Sequence, residues 1–161
     1  MESPAILHTG YSSNKRNQMT VTLTDSYTEF LAEATVEKIE ELKDELYDLE
    51  AMLTFIDEYN ETAFAEVYEE YVRCGEAIGY EAVDALAAED GIYHIEDCDE
   101  RYRGCYHNVA EFTEEFYSEM YDLPCDIVVD WEATWDTTLR YDFTACNDGT
   151  TYRAWHIFKD E

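Results

Sequence analysis

Residues 36–58 read VEKIEELKDELYDLEAMLTFIDE, and the fold follows from how this stretch is resolved. Ile39, Leu42, Leu46, Leu49, Leu53 and Ile56 recur at steps of three, four, three, four and three. That is the period of a helix with a heptad-type apolar seam, and it predicts one helix over Val36–Glu58. The seam lasts only about three heptads, which favours one arm of a helical hairpin over a free coiled coil. Between Glu37 and Glu50 stand seven acids: Glu37, Glu40, Glu41, Asp44, Glu45, Asp48 and Glu50. None falls on the seam, so all seven are expected to face solvent. On a continuous helix they would occupy about 21 Å, roughly one carboxylate every 3 Å.

Elements are expected on either side. Asn60 caps a second helix, Glu61–Cys74, with Phe64, Val67, Tyr68 and Tyr71 inward and Gly75 as its stop. A shorter helix, Tyr80–Ala88, ends before Asp90-Gly91, and Ile92–Ile95 reads as a short strand. Asn108 caps a helix over Val109–Tyr121, with Val109, Phe112, Phe116 and Met120 inward, closed by Leu123-Pro124. Ile127–Val129 leads into a helix at Asp130–Leu139. Two β-rich runs, Tyr141–Cys146 and Thr151–Phe158, flank Asn147-Asp148-Gly149-Thr150, a hairpin signal. On the N-terminal side, Asp25 or Ser26 caps a helical stretch through Ala34. Met19–Thr24 reads as a short strand after a polar leader, Met1–Gln18. The expected class is α+β and mostly helical: a leader at 1–24, an acidic helical region at 25–90, and a C-terminal α/β module at 91–161 ending in a hairpin.

Charge is the anomaly. The 161 residues hold 39 Asp and Glu against 10 Lys and Arg, a formal net charge of -29. Self-repulsion at that charge opposes compact folding. Hydrophobic residues at 46% and aromatics at 15% nevertheless supply a core, so disorder is a poor reading. The acids are interleaved with Tyr, Leu, Ile and Phe instead of forming a tail, which marks a folded acidic surface. Nucleic acid and anionic membranes are disfavoured partners, because phosphate contacts need basic patches. Five cysteines, an odd count with no CxxC pair, fit free thiols in a reducing cytoplasm. No apolar run is long enough to span a bilayer.

The acidic helices suggest a use for the charge. Duplex DNA displays one negative charge per ~1.7 Å of axis, counting both strands. Besides the seven acids of Val36–Glu58, the second helix offers Glu61, Glu66, Glu69 and Glu70, and the later helix Glu111, Glu114, Glu115 and, just beyond it, Asp122. Carboxylates at this density can stand in for phosphates before a Lys/Arg groove. A salt-adapted or simply acidic globular protein fits composition equally, and an acidic scavenger of histone-like proteins is a further rival. Chemistry finds little support. Cys98, Cys105 and His107 match no common zinc spacing, and Asp97–Glu100 (DCDE) lacks the glycine and terminal Glu of a calcium loop. His94, His107 and His156 accompany no nucleophile or phosphate-loop motif. The expectation is a protein that is not an enzyme and needs no metal or cofactor.

One resemblance narrows the choice. Tyr102-Arg103-Gly104-Cys105-Tyr106-His107-Asn108-Val109-Ala110-Glu111-Phe112 resembles the Y-x-G-x-Y-x-S-x-E-x-F/Y segment of the ArdA antirestriction proteins. Leu123-Pro124 followed by Ile127-Val128-Val129-Asp130-Trp131-Glu132-Ala133 resembles their L-P … I-x-Y-x-D-[WYF]-E-A segment. The similarity runs over about residues 55–158; residues 1–54 do not share it, and Thr134–Leu139 matches the next family segment only in part. It implies an elongated homodimer whose carboxylates imitate bent DNA and block the DNA-binding groove of a type I restriction–modification complex. Such proteins are carried by phages, plasmids and conjugative elements. By the same analogy the dimer interface lies near Asp130–Phe158, where Trp131, Trp135 and Trp155 cluster. Core packing is the competing role for those tryptophans.

Overall fold

The structure is a computed structural model that describes residues 27–160 except 125, 151 and 153. The leader and the Met19–Thr24 strand lie outside the described residues. Among the described residues are seven α-helices and a three-stranded antiparallel sheet, so the chain is α+β and mostly helical. None of these helices is long and apolar enough to cross a membrane. The chain divides into two compact units, Met1–Tyr68 and Glu69–Glu161.

In the first unit, a 3-10 turn at Tyr27–Glu29 precedes α1 (Glu33–Asp44), α2 (Leu49–Glu58) and the start of α3 (Glu61–Ile78). The single helix expected over Val36–Glu58 is therefore two helices. At the end of α1 the amide of Leu46 bonds to the Lys43 carbonyl (3.1 Å) and that of Tyr47 to the Leu42 carbonyl (3.0 Å). This is a Schellman closure, and it puts Leu46 in the left-handed position at φ 72°. Leu46 is 93% exposed, so it leaves the seam entirely. Asp48 then caps α2, its side chain accepting from the Ala51 amide (2.9 Å). The acids themselves help explain the break. Glu37, Glu41 and Glu45, and likewise Asp44 and Asp48, would be like charges at i,i+4 on a continuous helix, which weakens it.

Of the remaining seam residues Leu49 is half-buried and the other four bury. Ile39, Leu42, Leu53 and Ile56 pack inside, joined by Met52 and Phe55. Asn60 caps α3 as expected, accepting from Ala63 N–H (2.8 Å). The α3 side chains Phe64 and Tyr68 meet Phe55, with ring centroids 6.5 and 5.1 Å away.

The second unit is built on the sheet. Strands β1 (Tyr102–Tyr106), β2 (Phe143–Asn147) and β3 (Trp155–Lys159) lie in the order β1-β3-β2, both pairs antiparallel. Side chains alternate across the sheet. On one face Tyr106, Phe143 and Ile157 form a core with Phe112, Trp135 and Leu139, supplied by α6 (Val109–Met120), α7 (Trp131–Thr137) and the 3-10 turn Leu139–Tyr141. On the other, Cys146, His156 and Phe158 are buried on the side where β2 and β3 meet α4 (Tyr80–Asp90) and the one-turn α5 (Cys98–Arg101). Because α4 packs on the sheet, the C-terminal module begins well before residue 91.

Several local expectations are revised. Gly75 does not stop α3. It lies inside the helix, where a Cβ would come within 2.2 Å of the Tyr80 ring, so it is a site of close approach; the turn comes at Gly79 (φ 94°). Helix α4 runs two residues past Ala88. Ile92–His94 is a 3-10 turn and not a strand. Its buried residues, Ile92 and Ile95, are three apart, the period of a turn. Strand β1 carried no strand expectation, and a bulge between Tyr102 and Gly104 interrupts its alternation. Helix α6 is as read, with Asn108 accepting from the Glu111 amide (2.9 Å), but Met120 is exposed. Helix α7 ends at Thr137. There Thr134, Thr137 and Thr138 hydroxyls all bond back to main-chain carbonyls four residues earlier, a competition that weakens helices. The hairpin is present, with β3 beginning four residues later than read and Asp148 N–H bonded to Ala154 O (2.9 Å).

Candidate functional site: the carboxylate surface

Among the described residues no Asp or Glu side chain is buried. Helix α1 shows the display most clearly. It is about 18 Å long and carries Glu33, Glu37, Glu40, Glu41 and Asp44, all exposed. That is one carboxylate per about 3.6 Å, against about 3.4 Å per phosphate along one DNA strand. Glu45 follows at the C-cap, and Glu50 stands exposed in the first turn of α2. In the second unit, α6 exposes Glu114, Glu115 and Glu119, with Asp122 just beyond it.

The fifteen acids singled out from the sequence are not equivalent. Twelve are exposed, all but the half-buried Glu61, Glu70 and Glu111. Several of the fifteen are tied into the fold. The Glu40 carboxylate accepts from the Tyr27 hydroxyl and from Lys43 Nζ, and these bonds, Tyr27 first, hold its pKa below the usual carboxylate range. Glu61 accepts from the Ala32 amide (2.9 Å) and the Thr35 hydroxyl. Asp48 is spent as the α2 cap. Glu70 accepts from Arg73 and from the Asp97 amide (3.0 Å) and is held in its charged form chiefly by Arg73. Glu111 takes the His107 amide (2.7 Å) and ring Nδ1 (2.9 Å), and Glu115 takes the Tyr106 hydroxyl (3.1 Å). These six shape the surface while being partly committed to it.

Six of the seven described Lys and Arg side chains are engaged at home. Lys38 donates to the Ala65 carbonyl (2.8 Å) and lies over the Phe64 ring. Lys43 pairs with Glu40; Arg73 bridges Glu70 (2.5 Å) and Asp99 (2.7 Å). Arg101 donates to the His94 carbonyl and Arg103 to those of Glu100 and Tyr102. Arg140 sits over Tyr141. The positive charge is thus used to hold local structure, and most of the negative charge stays uncompensated.

The chemical candidates do not assemble. Cys98 is buried in α5, Cys105 is half-buried on β1, and His107 is exposed and paired with Glu111. His156 sits beneath the β2–β3 loop, with Nε2 3.1 Å from Asp148 and Nδ1 3.1 Å from the Tyr102 hydroxyl. Burial pushes the thiols of Cys74, Cys98 and Cys146 up, the last to about 12, which is the opposite of an activated nucleophile. His94 bonds to the Asp90 carbonyl (2.7 Å) at the end of α4. In the DCDE stretch, Asp97 takes a left-handed conformation and Asp99 serves Arg73. Ligand atoms of Glu70, Cys74 and Asp99 do converge, a group the sequence spacing did not reveal because it joins two separate helices.

Of the three tryptophans assigned to a dimer interface, Trp135 is 7% exposed and packs edge-on against Phe112 (6.1 Å), so it has little surface left for a second copy. Trp131 and Trp155 are only half-buried. The sequence reading did not anticipate the apolar side chains left exposed along the chain between the end of α6 and the start of α7: Met120, Tyr121, Leu123, Ile127 and Val128. Val128 is 97% exposed, and its neighbours in Ile127–Val129 could have signalled a β-prone segment without a partner strand. A comparison of the chain with protein-family models, with curated proteins and with solved structures finds no match.

Proposed function

We propose that this protein is a DNA mimic that inhibits a type I restriction–modification enzyme stoichiometrically, by occupying its DNA-binding groove. The observation that carries the reading is the disposition of charge. The chain carries a net charge of -29, no described Asp or Glu is buried, and six of the seven described Lys and Arg side chains are engaged within the fold. Arginine and lysine side chains arranged for phosphates would pair with such carboxylates through charge-assisted hydrogen bonds, and the field would steer the encounter. The resemblance of residues 102–133 to the ArdA proteins selects restriction as the target class and supplies the homodimer. In this reading no residue performs chemistry, and no metal or cofactor takes part in inhibition. Expression in the host cytoplasm, where the target enzyme works, follows from the same reading.

The test is gel filtration of the protein with a purified type I methyltransferase core, at low salt, with and without competing duplex DNA. Co-elution that DNA displaces supports the proposal. A folded protein that fails to co-elute overturns the type I target. Co-elution unaffected by DNA overturns mimicry and favours a general scavenger of basic proteins.

A further inference from the structure

Among the described residues β2 is an outer strand of the sheet, paired with β3 on one side alone. Its residues Phe143, Thr144 and Ala145 all line one open cavity of about 420 Å³. Consecutive strand residues point to opposite faces, so the cavity wraps the free edge of the strand. Its floor is apolar: Trp135 and Phe143 are buried there, and Val109, Ala145 and Trp155 are half-buried. Its rim is acidic, with Glu89 and Asp90 at the end of α4, and Glu132 and Asp136 one turn apart on α7. All four acids are exposed, and none of their carboxylates has a hydrogen bond or ion pair among the described residues. Arg140 also lines the cavity, but its guanidinium lies over the Tyr141 ring, 5.5 Å from the centroid.

We propose that this groove binds an arginine side chain of the partner protein, the guanidinium seated against Trp155 and paired with the rim carboxylates. Charge complementarity requires a cationic occupant, and the apolar floor selects which one. A guanidinium is planar and weakly hydrated, stacks on aromatic faces and pairs with two carboxylate oxygens at once, whereas a lysine ammonium is compact and strongly hydrated. A groove of this size lies within the ~300–1,000 Å³ of ligand sites, and apolar walls with a few convergent polar groups are their usual make-up. A second copy of this chain is a poor occupant. Six of its seven described Lys and Arg side chains are engaged within its own fold, and its acidic surface would meet an acidic rim. The carboxylates of α1 offer charge alone; the groove adds an apolar wall and so discriminates among cations. The inference rests on the DNA-mimic reading for which protein carries the arginine, and the affinity for arginine itself does not.

The experiment is NMR titration of the full-length, isotope-labelled protein with a capped Gly-Arg-Arg-Gly peptide and with its lysine counterpart, at one fixed ionic strength. The Trp155 indole N–H signal, identified by its loss in Trp155→Phe, should shift saturably, with the arginine peptide binding about three- to tenfold more tightly than the lysine peptide. Glu132→Gln/Asp136→Asn should weaken arginine binding about tenfold, whereas Glu37→Gln/Glu41→Gln on α1, with the same loss of charge, should change it by less than about twofold. Both pairs are exposed on helix surfaces, so neither threatens the fold. Equal affinity for the two peptides, or equal losses in the two double variants, would mean general attraction to a -29 chain and overturn the groove. An indole shift that follows protein concentration without peptide would give the groove to a second copy and overturn it likewise. No restriction enzyme is present, so failure here leaves the DNA-competition test of the mimic reading untouched, and failure there leaves the peptide result standing.

Discussion

Replacing Leu46 with glycine should stabilise the protein. In the structure Leu46 closes α1 from the left-handed region at φ 72°, a conformation that costs a residue with a Cβ about 1–2 kcal/mol. Its side chain is 93% exposed, so truncation gives up almost no burial. Against the relieved strain stands the greater freedom of glycine in the unfolded chain, about 0.5–1 kcal/mol. The net is a gain of about 0.5–1 kcal/mol, and Leu46→Ala should be neutral within about 0.5 kcal/mol. A continuous helix over Val36–Glu58 makes the opposite prediction. Leu46 would then be a buried seam residue whose loss costs about 2–5 kcal/mol, with about 1 kcal/mol more for glycine in a helix interior. Urea unfolding at fixed ionic strength separates the two by sign. The midpoint should rise for Leu46→Gly with an unchanged denaturant slope, and the Tm should rise by a few degrees, at about 2–4 °C per kcal/mol for a chain of this size. A loss of 2 kcal/mol or more in either variant would refute the broken helix.

Three further outcomes are expected. Phe112→Ala should cost about 3–5 kcal/mol, because its ring is in edge contact with Tyr106, Trp135 and Phe143 at the centre of the sheet core; near-UV circular dichroism and urea melts read this, and a cost below about 1 kcal/mol would mean that core is not closed. Burial, with the Glu115 charge beside it, raises the Tyr106 phenol to about 12, above its unfolded value near 10. The folded state then holds that proton more tightly, so the associated stability is present below pH ~10 and lost as the pH rises toward 12; Tyr106→Phe should make the alkaline loss shallower, and an unchanged alkaline limb would contradict the burial. Finally, added NaCl at neutral pH should raise the urea midpoint, because screening relieves the repulsion of a -29 chain; a falling midpoint would show that paired charges dominate.

Much of the fold was legible because burial leaves a periodic trace. Phe64 and Tyr68 on α3, Phe112 and Phe116 on α6, and the Asn60 and Asn108 caps are set by local chemistry: apolar residues at helical spacing and a side-chain oxygen placed for an orphan amide. The errors came where a local signal served a tertiary purpose. Gly75 reads as a stop because glycine favours helix ends, yet here it makes room for the Tyr80 ring, a contact made across the turn at Gly79. Ile92–Ile95 reads as a strand from composition, whereas the three-residue step between its buried members is a turn. The group of Glu70, Cys74 and Asp99 was illegible because no motif spacing connects α3 to α5.

The break at Leu46 bears on function as well as fold. An apolar seam counts only what would be buried, so Leu46 fitted it as well as Leu42 did. The acids beside it oppose the same helix, since like charges four residues apart weaken it while each added carboxylate increases the charge density. A long straight rod densely covered in carboxylates therefore works against its own continuity. Splitting it at Glu45–Asp48 uses Asp48 as a cap for α2 and places Glu50 in its first turn, where a negative charge is favourable to the helix dipole. Acids that would destabilise one long helix thus stabilise the start of a second. The same economy recurs at Glu111, whose carboxylate takes the His107 amide at the entrance to α6. A chain with this much surface negative charge can keep its fold by converting part of that charge into helix starts, and on the proposed reading the remaining exposed carboxylates of α1 and α6 are the ones that would meet a cationic groove.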